Sequence, residues 1–257
     1  MPEDLGRACD LFTLVHIRAK RHEAWFESIL NVCRSGVELA RTPVGMENIA
    51  VTMALFQEWA DAGILKNLAW RNDYEAQRKF AEAWTTKQID RSQAFIDAFA
   101  LVFAHSLLDV AVNDLLEITT LTDHSSWCER VAGRKVTIEA IRKNSCENLE
   151  KEMIRTALED LKKESVLKKA DTLYSICKPN PAFVGVKEFR YSRETIGELD
   201  SLRHDVVHKV RIENPIDGIK EKLSYLQSTA MHLIMMVRES YDLKIDPTKL
   251  IGYLAAY

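Results

Sequence analysis

The sequence is poor in the residues that interrupt helices. It contains nine glycines and six prolines among 257 residues, about half of what average usage would give. Folds rich in hairpins and tight turns depend on these residues, so their scarcity disfavours a β-rich architecture. We therefore predict an all-α fold.

The cysteines exclude two further classes. There are five, an odd number, and none forms a C-x-x-C pair: Cys9, Cys33, Cys128, Cys146 and Cys177. Neither a disulfide framework nor a zinc ribbon is encoded by such a pattern. A reducing cytoplasm is the compartment that fits best.

Strong charge and long apolar runs are also missing. The formal net charge is −3, which excludes a histone-like polycation that binds nucleic acid through bulk charge. The longest charge-free run in the apolar middle lies between Asp97 and Asp109, and it is too short to span a bilayer. The first residues are not a basic and apolar signal segment. We expect a cytoplasmic protein with no membrane contact.

Helical periodicity organises most of the chain. We expect one or two helices over 3–40, a buried central helix over 92–118 with little room for a wet face, and one long charged helix over 135–170. A new helix is expected to start at Asp123. Thr195 and Glu198 form a T-x-x-E capping box, which predicts a helix that starts there and runs to about 210. Further helices are expected over 46–60 and 218–241. The predicted division is an N-terminal helical extension over 1–88 and an antiparallel helical bundle over 89–257.

One stripe of polar residues interrupts the apolar central helix. His105, Asp109, Asn113 and Glu117 repeat every four residues and so share one face of a helix. The stripe is either a thin solvent-facing strip or one wall of a polar cleft.

The distal half carries a local basic excess. Residues 161–193 hold eight basic and three acidic residues, and aromatic side chains are interleaved with Lys187, Arg190 and Arg193. Cations beside aromatic rings suit bases stacked next to phosphates. The alternative is a loop folded over its own aromatic residues.

Arg203 lies in the middle of an apolar arc. On a helix from Thr195 to about 210, it is flanked within about 60° by aliphatic side chains, namely Ile196, Leu199, Val206, Val207 and Val210. A guanidinium where water is excluded needs an anion, because its desolvation is costly and it does not deprotonate. A carboxylate such as Asp109 could supply the negative charge. Alternatively, the planar fork could hold a phosphate.

Two histidines accompany this arginine. His204 and His208 lie one turn apart on the flank of the same arc, and both side chains titrate near neutral pH. Two titratable side chains so close to a cation favour a catalytic site. A hydrogen-bonded core role or a surface role is the structural alternative.

The segment Arg203-His204-Asp205-Val206-Val207-His208 resembles the R-x4-6-H signature of the HEPN superfamily. The resemblance covers about residues 90–245. Members are all-helical domains, and many are metal-independent endoribonucleases of toxin, phage-defence and RNA-processing systems. The predicted bundle would then be a HEPN-like up-and-down core.

The resemblance implies roles for individual residues. Arg203 would clamp the phosphate, His208 would act as general acid or base, and His204 and Asp205 would support it. RNA would be cleaved to 2′,3′-cyclic phosphate ends in a site built from both protomers of a homodimer, with no metal or cofactor. An antitoxin or another regulatory partner is a further expectation. Substrate-binding candidates are Lys187, Arg190, Arg193, Lys209 and Asp109.

Two other functions compete with this interpretation. The H-x-x-x-H spacing of His204 and His208 could bind a metal together with residues of the polar stripe, as in a metal-dependent hydrolase. The second alternative is a catalytically silent HEPN-like module that binds nucleotide or protein.

Overall fold

The protein is an all-α helical bundle, as the sequence predicts. The computed structural model describes residues 2–42, 74–137, 141, 145–179, 191–208, 214–249 and 251, and these residues contain no strand. The principal helices are α1 (Pro2–Ala40), α2 (Tyr74–Thr122), α3 (His124–Val131), α4 (Cys146–Lys162), α5 (Val166–Cys177), α6 (Arg193–His208) and α7 (Ile219–Tyr241). The helix predicted over 46–60 lies outside the described residues.

Serine caps divide the charged segment that the sequence predicts as one helix over 135–170. The side chain of Ser145 accepts a hydrogen bond from the backbone N–H of Asn148 at the start of α4. Ser165 does the same for the N–H of Lys168 at the start of α5. Each cap satisfies a backbone donor that a helix start leaves open. The prediction of one unbroken helix is therefore wrong, and α4 and α5 are separate.

Helix α6 begins one turn earlier than the predicted capping box. It starts at Arg193, and Ser192 Oγ accepts a 3.3 Å hydrogen bond from the N–H of Thr195. Tyr225 on α7 holds this cap, because its hydroxyl accepts a 2.6 Å bond from the N–H of Ser192. The cap is therefore Ser192 rather than Thr195.

The chain divides into two compact units. One comprises residues 1–24, 103–204 and 220–257, and the other comprises 25–102 and 205–219. This division differs from the one predicted at residue 88, which lies within the continuous helix α2. Helices α1, α2 and α6 each pass from one unit into the other.

The C-terminal half of α2 forms the centre of the first unit. Its aliphatic residues are buried together with residues of α1 and α7, as shown by Phe12, Leu108, Leu115, Leu116, Leu226, Leu233 and Val237, each at most 1% exposed. Removing this apolar surface from water is the main stabilising contribution to such a core.

Part of α2 is exposed, contrary to the sequence-based expectation. Phe95 is 67% exposed and Phe99 is 54% exposed in the second unit, and Val110 is 49% exposed in the first. The prediction that this helix leaves little room for a wet face is wrong for these positions. Composition identified the apolar helix, but it did not specify which face the other helices cover.

One helix among the described residues, Arg78–Thr122 within α2, is long and apolar enough to cross a membrane by length and composition. A single helix of this kind is weak support for a membrane protein, because the core helices of soluble proteins have the same composition.

Asp123 is the N-cap of α3, at the position where the sequence predicts a new helix start. The Asp123 carboxylate accepts hydrogen bonds from the N–H of Ser126 at 3.1 Å and from the Tyr241 hydroxyl at 3.3 Å. The fully buried Trp127 of α3 donates its indole N–H to Thr119 Oγ1 at 3.0 Å. These contacts fix the short helix against α2 and α7.

Substitution of Asp123 tests this cap. Asp123→Ala should destabilise the protein by about 1–2 kcal/mol, whereas Asp123→Asn, which keeps a side-chain acceptor, should lose less. Desolvation opposes ionisation of Asp123, but the hydrogen bonds from Ser126 and its neighbours outweigh it and lower its pKa. The charge-dependent stability is therefore present above the ordinary carboxyl pKa and is lost as the pH falls through the lowered one. Urea unfolding of the three proteins measures both effects; equal stability of wild type and Asp123→Ala would contradict the assignment.

Candidate functional site

The polar stripe of α2 faces other helices of the first unit. We call His105, Asp109, Asn113 and Glu117 the polar seam. Its burial decreases along the helix, from 2% exposure of His105 to 42% exposure of the Glu117 side chain. Glu117 lies 3.6 Å from the Lys162 ammonium of α4, and Asn113 Oδ1 is buried without a hydrogen-bond donor among the described residues. The polar seam is therefore buried at His105 and forms a partly exposed ion pair at Glu117.

Asp109 is paired with a buried lysine. The Lys169 side chain is 1% exposed, and its ammonium donates a 2.6 Å hydrogen bond to Asp109 Oδ1. A buried ammonium is strongly destabilising without a carboxylate beside it. The structure therefore pairs Asp109 with α5 and not with Arg203, which was one alternative for that arginine, and its predicted role in substrate binding has no separate geometric support.

Two substitutions along the polar seam should lower the free energy of unfolding by different amounts. Asp109→Ala leaves the buried Lys169 side chain without its carboxylate and should cost about 1–3 kcal/mol, because the 37% exposed Asp109 lets water reach part of the pair. Glu117→Ala removes a partly exposed pair and should cost less than about 1 kcal/mol. Urea denaturation measures both free energies of unfolding. Similar losses for the two variants would show that burial does not determine how much each ion pair of the polar seam contributes to stability.

Asp200 connects the polar seam to Arg203. It lies on α6 one turn before Arg203, and its Oδ1 is 3.1 Å from His105 Nε2 and 3.9 Å from Arg203 Nε. Burial lowers the pKa of His105; the Asp200 carboxylate opposes this shift, and the Arg203 charge adds to it. His105 is therefore neutral at pH 7. The charged pair is Asp200 and Arg203, which are 3.9 Å apart.

Arg203 occupies a boundary between core and surface. Its side chain is 37% exposed, while its Nε is buried and has no hydrogen-bond acceptor among the described residues. Exposure of the apolar residues around Arg203 increases along the helix. Ile196 and Leu199 are buried, whereas Val207 is 52% exposed. The apolar arc predicted around Arg203 is thus buried only on its N-terminal side. A guanidinium in this position can accept an additional anion from the exposed side.

The other motif residues are accessible. His204, Asp205 and His208 are exposed on the last turns of α6. Helical geometry separates Arg203 from His208 by about 140° and a rise of about 7.5 Å. The two side chains are therefore not a compact pair on one face of the helix.

The predicted substrate-binding cations are described in part. Arg193 is 71% exposed and lies 2.9 Å from the Asp171 carboxylate. Tyr191 donates its hydroxyl to the same carboxylate and stacks on Tyr174 with 4.8 Å between ring centroids. This aromatic residue packs on its own chain, as the structural alternative supposed. Lys187, Arg190 and Lys209 lie outside the described residues.

The metal alternative at α6 gains no support. In the described part of the chain, three metal-ligating atoms lie within 4.8 Å of one another at His124, Cys128 and Glu150, and that set includes neither His204 nor His208. Three residues of the polar seam could have completed the shell, and each contacts another residue instead: His105 contacts Asp200, Asp109 contacts Lys169 and Glu117 contacts Lys162.

Two residues of this arrangement were missed by sequence reasoning. Asp200 precedes Arg203 by three positions, so helical spacing could have identified it as a partner. Lys169 lies 60 positions from Asp109 within a run of charged residues. No local pattern distinguishes that buried lysine from its solvated neighbours.

Comparison of the chain with models of known protein families, with curated proteins and with solved structures gives no match in any of the three. The resemblance to HEPN proteins rests on the motif of α6 and its all-helical setting.

The lowered pKa of His105 has a consequence for acid stability. Because the unfolded chain binds a proton more readily, the contribution of neutral His105 is fully present above its ordinary value of 6.5 and is lost as the pH falls through the lowered pKa. In His105→Asn the free energy of unfolding should therefore vary less steeply between about pH 6.5 and 5. Denaturant unfolding across this range measures the slope. An unchanged slope in His105→Asn would contradict the assignment.

Proposed function

We propose that this protein is a metal-independent endoribonuclease whose site is centred on Arg203 and His208 of α6. The observation that supports this proposal most is the placement of Arg203. Its guanidinium is half-buried, its Nε lacks a hydrogen-bond acceptor among the described residues, and the Asp200 carboxylate lies 3.9 Å away rather than at hydrogen-bond distance. Such a group retains capacity for the negative charge of a phosphate.

The proposed reaction requires three functions. A base removes the proton from the ribose 2′-hydroxyl, the 2′-oxygen attacks phosphorus, and an acid protonates the departing 5′-oxygen. Arg203 stabilises the charge that develops on the phosphorane. His208 serves as base or acid, and His204 positions or shares the proton. The products are a 2′,3′-cyclic phosphate and a 5′-hydroxyl.

A homodimer would complete the set of groups. One chain supplies one Arg203 and one His208, separated along the helix, whereas a two-fold interface at the end of α6 doubles both. The exposed side chains of His204 and His208 are accessible to a second chain, and the 52% exposed Val207 offers apolar surface beside them. We expect a setting in toxin or defence biology, with an antitoxin or another regulatory partner.

A silent binding module is the second candidate function. The same anion site would then bind a nucleotide, RNA or protein without cleavage. The separation of Arg203 and His208 along α6, about 140° and about 7.5 Å, favours this alternative, because one chain does not bring both groups to the same phosphate.

RNA cleavage separates the two candidates. Purified wild-type protein should cut total RNA in the presence of EDTA and leave 2′,3′-cyclic phosphate and 5′-hydroxyl ends. His208→Ala should lower the cleavage rate by about 100-fold or more, because a general acid or base is lost. Arg203→Ala should lower it by about 100-fold or more, because the charge on the phosphorane is no longer stabilised.

Arg155→Ala is the matched control, since Arg155 is an exposed arginine of α4 paired with Glu152. It should cleave like wild type. Cleavage that requires magnesium and leaves 3′-hydroxyl ends would contradict the mechanism. RNA binding without cleavage by the wild type would favour the silent module.

A further inference from the structure

Three potential metal ligands from α3 and α4 converge. The ring nitrogen of His124, the sulfur of Cys128 and a carboxylate oxygen of Glu150 all lie within 4.8 Å of one another. The His124 Nε2 to Glu150 Oε2 distance is 3.4 Å. Donor atoms bound to one tetrahedral zinc at about 2.0–2.3 Å are about 3.3–3.8 Å apart, so this pair has the required spacing and the third atom lies close to it.

The helices hold these ligands in a defined arrangement. His124 and Cys128 are four residues apart, so they share one face of α3, while Trp127 of the same helix is fully buried. Helix α4 buries its own apolar face through Ile154, Ala157, Leu158 and Leu161. A site on two such elements needs little reorganisation to bind an ion.

The donor set suits a borderline-soft divalent cation. Thiolate, imidazole and carboxylate ligands together favour zinc over magnesium or calcium, which prefer all-oxygen sites. With the thiol and carboxyl deprotonated, the set carries two negative charges and balances the ion. His124 is 51% exposed and Glu150 is 44% exposed, so a fourth ligand can come from water.

We propose that His124, Cys128 and Glu150 bind one zinc ion, with the fourth position open to water or an added ligand. The ion links the start of α4 to α3. This site is separate from the proposed ribonuclease residues, and nothing in it depends on RNA cleavage.

Cobalt substitution provides the direct test. Titration of the reduced full chain with Co²⁺ should produce a near-ultraviolet thiolate-to-cobalt charge-transfer band that saturates at one ion per chain, and Zn²⁺ should displace it. Cys128→Ser should abolish the band. His124→Ala and Glu150→Gln should each weaken Co²⁺ binding at least tenfold.

Matched controls leave the three ligands intact. Cys33→Ser removes another half-buried free thiol, and Glu152→Gln removes another exposed carboxylate of α4. Both should bind Co²⁺ like wild type. Absence of the band in wild type, or its persistence in Cys128→Ser, would overturn the proposal. Far-ultraviolet circular dichroism confirms that each variant is folded.

Alkylation tests the same site without substitution. Zn²⁺ should protect Cys128, but not Cys33, from iodoacetamide, as measured by peptide mass spectrometry. Equal labelling of Cys128 with and without Zn²⁺ would contradict the site.

Chelation distinguishes this proposal from the proposed ribonuclease function. In Cys128→Ser, which lacks a zinc ligand, RNA cleavage should be unaffected by EDTA. If the wild type shows the cobalt band but does not cleave RNA, the ribonuclease proposal fails and the zinc site stands. If the wild type cleaves RNA but shows no cobalt band, the zinc site fails and the ribonuclease proposal stands.

Discussion

The ammonium of Lys169 cannot remain in the interior without a carboxylate beside it, and this constraint organises the first unit. The 2.6 Å bond to Asp109 fixes α5 against the central part of α2. One turn away, His105 contacts Asp200 and fixes α6 against the same helix. Because a misplaced helix would leave a buried charge unpaired, these contacts specify the packing as well as stabilise it. They also determine where α6 presents Arg203.

The surroundings of Arg203 combine partial burial with incomplete neutralisation. Asp200 is close enough to lower the cost of a half-buried guanidinium, but at 3.9 Å it does not saturate the donors. His105 stays neutral and therefore adds no competing positive charge at pH 7. In the proposed enzyme, His105 and Asp200 are positioning residues: they orient Arg203 but do not touch RNA. A more tightly paired arginine would bind a phosphate less well, because the ion pair would first have to break.

Local signals in the sequence predicted more than long-range pairing did. The helical class followed from scarce glycine and proline, and the start of α3 followed from Asp123, because a cap involves neighbouring residues. The break before Ser165 was missed because the charge pattern continues across it, although serine caps were visible. The partner of Asp109 could not be read from the sequence, since Lys169 lies 60 positions away and looks like its solvated neighbours. The periodicity around Arg203 predicted an apolar arc, but only packing determined that the arc reaches the surface at Val207.

The central claim is that the Arg203 guanidinium is the group that receives the RNA phosphate. The most direct measurement is nitrogen-15 NMR of arginine Nε–H resonances during titration with a non-cleavable oligoribonucleotide that lacks the reactive 2′-hydroxyl. Arg203→Lys identifies the resonance, and Arg155 serves as an internal reference. The account predicts a saturable shift of the Arg203 signal with the Arg155 signal unchanged. Binding of the oligonucleotide with no change at Arg203 would contradict it.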